Sequence, residues 1–176
     1  MYQRILVPID GSPTSEKGLE EAIRLAKLTQ GRLRLVHVID ELSFALAMDA
    51  YAGLVGDWLT ELRANGARFL EEAKAKATAA GVEADTLLHD SFSNPVHDLI
   101  CADAAEWPAD LIVIGTHGRR GVGRLVMGSS AENVLRHAPV PVLLIRAPET
   151  EPKTPDAGSG HPSERLHLPE GTVALE

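Results

Sequence analysis

Gly115, Gly118, Gly128, Ser129 and Ser130, with Arg119, Arg120 and Arg124 among them, are the residues whose types and spacing point to chemistry. They share one stretch, DLIVIGTHGRRGVGRLVMGSSAENVLRHA, from Asp110 to Ala138. Glycines let backbone amides approach a ligand closely and tolerate positive φ. The first N–H groups of a helix lack internal partners and carry the positive end of its dipole. Together with guanidinium groups they recognise an anion, and phosphate is the natural guest. The alternative is a tight strand-to-helix turn inside a solvated basic loop, with Ser129 or Ser130 as an ordinary cap rather than a phosphate donor. Three arginines in the same loop favour the ligand. His117, between the first two glycines, either touches phosphate or fills a turn. It has no carboxylate partner in sequence and is not read as a general base.

The elements that must position these residues follow from periodicity. Leu111 to Ile114 is a short β-branched run, as expected of a strand buried on both faces, and Val134 and Leu135 mark the helix after the glycines. At the start of the chain, Ile5 to Ile9 reads as another buried strand, and Asp10-Gly11-Ser12-Pro13 as the turn after it. Ser12 before Pro13 fits an N-cap followed by the first helical position, and Leu19, Ala22, Ile23 and Ala26 form one apolar face that Gly31 would stop. Leu33 to Ile39 is a second strand. Residues 41–58 carry Phe44, Met48, Tyr51 and Trp58, interrupted by Gly53 and Gly56. They read as a short helix or flap that is either core, a lid or a partner surface. Leu62, Phe69, Leu70, Ala73 and Ala77 define the longest helix, with Gly81 as its stop. Ala84 to His89 is a weak third strand, expected at an edge. Asn94-Pro95 is expected to cap a helix that turns Val96, Leu99, Ile100 and Ala104 inward, with Cys101 beside that face as inert packing. Val140 to Ile145 is the fifth strand. Strands alternating with helices predict a doubly wound α/β fold, with ligands outside the carboxyl ends of the strands where strand order reverses.

Charge is divided along the chain. Of a net −8, the residues through Arg146 contribute 15 basic and 19 acidic groups, and the remainder 2 and 6. That balance argues against a general nucleic-acid surface, although it permits one local anion site. Five of the eleven prolines fall after residue 146, so 148–176 is read as a Pro- and acid-rich tail behind a single domain over 1–147. A single cysteine suits a reducing compartment. No run approaches the ~20 apolar residues that span a bilayer, and no signal-type start is evident, so a cytoplasmic protein without membrane insertion is expected.

The spacing G-x2-G-x9-G-S, met by Gly115, Gly118, Gly128 and Ser129, resembles the ATP-binding signature of the universal stress protein family. The resemblance extends to the opening ILVPIDGS, to LIVIGTHG and to the closing HAPVPVLLIR, and so covers residues 1 to about 147. It implies a Rossmann-like, five-stranded parallel sheet of order 3-2-1-4-5 with helices on both faces. It also implies Pro8, Ile9, Asp10 and Val38 near adenine and ribose, and Gly115, His117, Gly118, Arg119, Gly128, Ser129 and Ser130 around the phosphates. The cofactor would be ATP, or ADP or AMP, with Mg²⁺. Asp10 would accept from a ribose hydroxyl or reach Mg²⁺ through water; its other reading is a turn-forming Asp before Gly11. A homodimer joined through the fifth strand, Val140 to Ile145, is implied as well, with a regulatory protein partner of unknown identity. Ala131 stands where some ATP-binding relatives carry a hydroxyl residue, which removes one phosphate contact.

Three functions compete on these residues. The first is an ATP-binding regulator of the stress response with little or no catalysis. The second is a slow ATP hydrolase or adenylyl-transferring enzyme on a related fold; HxGH, SGGxDS and GxxxxGK[ST] sequences are all absent, which counts against it. The third is an interaction protein of the same fold that binds no nucleotide, and the intact glycine spacing opposes that.

Overall fold

The computed structural model describes residues 1–39, 58–90, 94–116 and 128–146. Five parallel strands, β1 (Arg4–Pro8), β2 (Arg32–Val38), β3 (Ala84–His89), β4 (Leu111–Gly115) and β5 (Val142–Ile145), form one sheet in the order β3-β2-β1-β4-β5. Helices α1 (Pro13–Thr29), α2 (Trp58–Ala79), α3 (Val96–Glu106) and α4 (Ser129–His137) lie between them in sequence. The doubly wound architecture expected from the alternation is therefore the one observed. The flap segment apart from Trp58, the arginine-bearing loop with His117, Gly118, Arg119, Arg120 and Arg124, and the tail after Arg146 lie outside the described residues.

Strand chemistry explains the layering. In β1, Ile5 and Val7 point to one face and Leu6 to the other, and all three are fully buried. On the first face they join Leu33, Leu35, Leu111 and Val113 beneath Leu19, Ala22 and Ala26 of α1 and Leu70, Ala73 and Ala77 of α2. On the second face Leu6, Val36, Ile112 and Ile114 meet Ile100 and Ala104 of α3 and Ala131 and Val134 of α4. Continuous apolar runs in β1 and β4 follow from coverage on both sides. The sheet is registered by Ile5 against Leu33 on one side and against Leu111 on the other. β3, with its modest apolar content, is an edge strand as its composition predicts, and β5 is the opposite edge.

Helix α1 starts as its sequence dictates. Ser12 is the N-cap, its Oγ accepts from Ser15 N at 3.2 Å, and Pro13 is the first helical residue. Ser12→Ala is expected to lower stability by about 1 kcal/mol, the usual worth of such a cap, measured by urea denaturation at unchanged m-value.

Two local expectations need correction. The residue that ends α1 in the left-handed conformation is Gln30, at φ 54°, and not Gly31. Gly31 is required for a different reason: a Cβ there would lie 2.9 Å from the Cα and carbonyl oxygen of Gln3. Helix α3 is capped by Pro95 without a side-chain hydrogen bond, so Asn94 does not act as the cap. The helix marked by Val134 and Leu135 is present as α4, with Val134 buried and Leu135 47% exposed.

Candidate functional site

Strand order reverses between β1 and β4, which pair directly with each other, so the loops that leave their carboxyl ends emerge side by side. Eight of the residues singled out from sequence lie on this rim. Pro8, Val38 and Gly115 are the last residues of β1, β2 and β4. Ile9 is buried and Asp10 half-buried just beyond β1. Gly128, Ser129 and Ser130 open α4. His117, Gly118 and Arg119 fall outside the described residues.

The turn after β1 is tightly organised. Ile9 N donates to Val36 O at 2.7 Å, extending the ladder one residue beyond the strand. Ser12 N donates to Asp10 Oδ1 at 2.9 Å, and Asp10 N donates to Ser15 Oγ at 3.2 Å. The turn-forming reading of Asp10 is thus realised with one carboxylate oxygen. Its Oδ2 makes no hydrogen bond among the described residues. Gly11 has φ +77°, and a Cβ there would lie 2.9 Å from the Phe69 ring, so α2 packs close beneath the turn.

Beyond β4, Thr116 N donates to Ile145 O at 2.8 Å and Gly128 N donates to Thr116 O at 2.8 Å. The two ends of the glycine-rich loop are therefore clamped together at the rim. Gly128 occupies the N-cap position of α4 with φ −60° and ψ 139°, and no side chain caps the helix. Of the roles open to Ser129 and Ser130, capping is not the one seen: both lie inside the first turn, Ser129 exposed and Ser130 half-buried. The first intrahelical bond is Glu132 N to Gly128 O at 3.0 Å. The amides of Ser129, Ser130 and Ala131 have no acceptor among the described residues. An uncapped helix start with two hydroxyls in its first turn presents the kind of donors that anions recognise.

Gly115 has a structural reason of its own. A Cβ there would lie 2.9 Å from Thr14 C and 3.0 Å from Thr14 O, because the start of α1 rests on the end of β4. The first glycine of the motif thus brings the β1 turn and the β4 loop together.

Two features were missed in sequence. His37, buried in β2, has Nδ1 2.6 Å from Ile9 O, so this imidazole braces the turn that carries Asp10. Gly66 of α2 makes room for it, since a Cβ there would lie 2.7 Å from His37 Cδ2. The signal was a histidine at an inward-facing strand position. At the end of β3, His89 Nε2 lies 2.7 Å from Oδ2 of the buried Asp103 and ties the edge strand to α3. Cys101 sits beside this helix with its thiol pKa pushed up, first by partial burial and then by the Asp98 charge. Its alkylation by iodoacetamide at neutral pH is expected to be slower than that of glutathione, measured by mass spectrometry, because the thiolate is the nucleophile.

Comparison with known proteins agrees with this architecture. Residues 1–146 match the model of the universal stress protein family. Universal stress protein YxiE of Bacillus subtilis is 33% identical over 153 residues, which cover 83% of this chain and 100% of that one. A crystal structure of a member of that family from Burkholderia pseudomallei is 34% identical and superposes with a TM-score of 0.65, covering 83% of this chain and 97% of the other. A universal stress protein from Archaeoglobus fulgidus, solved in complex with dAMP, is 26% identical with a TM-score of 0.57, covering 82% of this chain and 98% of its own. With the sheet order and the family match in agreement, the chain belongs to the universal stress protein family.

Proposed function

We propose that this protein is an adenine-nucleotide-binding regulator of the cytoplasmic stress response, with little or no catalysis of its own. The observation that carries the reading is the uncapped start of α4. The amides of Ser129, Ser130 and Ala131 are without acceptors among the described residues at the rim where β1 and β4 diverge. That the Archaeoglobus relative was solved with dAMP supports an adenine nucleotide as the guest. In this reading Ile9 and Val38 flank the base, Pro8 shapes the turn, and Asp10 Oδ2 meets a ribose hydroxyl. Gly115, His117, Gly118, Arg119, Gly128, Ser129 and Ser130 surround the phosphates. Among the described residues no group of three His, Cys, Asp or Glu side chains is placed to hold a metal ion. Mg²⁺ would therefore be carried mainly by ATP oxygens, with Asp10 reaching it through water.

The nucleotide-binding domain would span 1–147, with 148–176 as an appended tail. The edge strand β5 supports a homodimer: Leu143 is 39% exposed, and an apolar edge invites pairing with its own copy. Nucleotide occupancy would alter the flap or this dimer and so a contact with a regulatory partner. Acid extraction of the purified protein is expected to release ATP, ADP or AMP, identified by chromatography against standards. A nucleotide-free extract, together with no binding of added ATP, would favour the interaction-protein reading. Multiple-turnover hydrolysis with Mg²⁺ would favour the enzyme.

A further inference from the structure

The opposite rim, where the strands begin, carries a second cleft, of about 370 Å³, lined by Gln3, Arg4, Gln30, Arg32, Glu83 and Asp110. These residues stand at or just before the first positions of β1, β2, β3 and β4, so the cleft lies at the far end of the sheet from the nucleotide reading.

Its charges are poorly matched within the protein. Arg4 Nε–H is buried and has no acceptor; it is the buried side-chain polar atom without a partner among the described residues. A charged donor removed from water and left unpaired carries the desolvation cost of that group. Among the described residues Arg32 forms no ion pair either; its guanidinium carbon lies 5.5 Å from the Trp107 ring centroid. The contrast is Arg34, two residues on, which Asp85 holds in a fork at 3.2 and 2.6 Å. Asp110 does not fill the gap, because its oxygens are turned to the backbone: Oδ2 accepts from Gln3 N at 2.9 Å and Oδ1 from Arg4 N at 3.1 Å.

The walls carry unusual backbone conformations. Among the described residues, the non-glycine residues with positive φ are Tyr2 at 56° and Gln30 at 54°, and both flank this cleft. They are held in place by Thr29 Oγ1 donating to Tyr2 O at 2.8 Å and by Arg32 N donating to Gln3 O at 2.8 Å. Strain that the surroundings over-determine tends to gather at binding sites.

We infer that this cleft binds a compact oxyanion, a carboxylate or a phosphate, held by Arg4 and Arg32 independently of the nucleotide. Guanidinium donors suit either group, since both present two oxygens at matching spacing. Glu83 also lines the cleft, so a singly charged ligand fits better than a polyphosphate.

The test is side-chain ¹H–¹⁵N NMR of the full chain, following the arginine Nε–H resonances while inorganic phosphate is added, and acetate in a separate titration. The Arg4 and Arg32 signals are expected to shift saturably with at least one probe, and the effective probe distinguishes the two oxyanions. Arg24, exposed on α1 and paired with Glu21, serves as the control and is expected not to follow. Arg4→Gln removes the assigned signal and the binding, and Arg32→Gln raises the half-saturation concentration about fivefold or more. Should Arg4→Gln fail to fold, the exposed Arg32→Gln carries the test. An Arg4 signal that drifts linearly with both anions in step with Arg24, or a half-saturation unchanged in Arg32→Gln, overturns the assignment.

Discussion

Gly128→Val is expected to weaken ATP binding at least about 100-fold, since two lost charge-assisted hydrogen bonds at about 1.5–3 kcal/mol each already exceed that factor. The valine side chain would stand at the cap of α4, beside the amides of Ser129, Ser130 and Ala131 that have no acceptor among the described residues. Folding is expected to survive. The backbone of Gly128, at φ −60° and ψ 139°, lies in a region open to any residue, and its N–H bond to Thr116 O does not depend on the side chain. The poorer cap costs at most about 1 kcal/mol. Gly118→Val is expected to act in the same way if that residue lies against the phosphates. Calorimetric titration with ATP and Mg²⁺, beside a thermal melt, separates lost binding from lost fold. Unaltered affinity in both variants would mean that the phosphates lie elsewhere.

Gly115→Ala is expected to do the reverse and act first on stability. The new methyl would press on Thr14 C and Cβ, each at 2.9 Å, and the obstacle is helix backbone that cannot rotate away. Overpacking of this kind costs about 1–3 kcal/mol. In a chain of 176 residues each kcal/mol corresponds to roughly 2–4 °C in Tm. The contrast between the two glycines is the informative result, because the motif treats them as equivalent while the geometry does not. Gly115 admits a neighbouring helix, and Gly128 leaves the start of another helix open. A Gly115→Ala protein that melts like the parent would show that α1 does not rest on β4 as described.

Much of the fold was legible because the central strands are buried on both faces and therefore read as unbroken apolar runs. Leu111 to Ile114 and Ile5 to Val7 left little room for another assignment. The start of α1 was equally plain, since Ser12 and Pro13 act through local geometry alone. Expectations failed where long-range packing overrode local preference. Gly31 resembled a helix stop by residue type, but Gln30 takes the left-handed position and Gly31 is needed because Gln3, just before β1, passes so close.

The candidate site was legible in outline only. Glycines, hydroxyls and the reversal of strand order could be named from the residues and the family resemblance. The brace from His37 to the Ile9 carbonyl could not, because the partner is a backbone atom that carries no sequence signal. The clamp between Thr116 and Gly128 escaped for the same reason. Gly66 needed the fold itself, since its purpose is space for a ring on another element.

A crystal structure grown with ATP and Mg²⁺ bears most directly on the central claim. Phosphate oxygens are expected at hydrogen-bonding distance, about 3 Å, from the Ser129 and Ser130 amides, with the adenosine over Ile9 and Val38. A structure in which protein atoms fill the space before Ser129 and the nucleotide is absent or bound at another rim would contradict it.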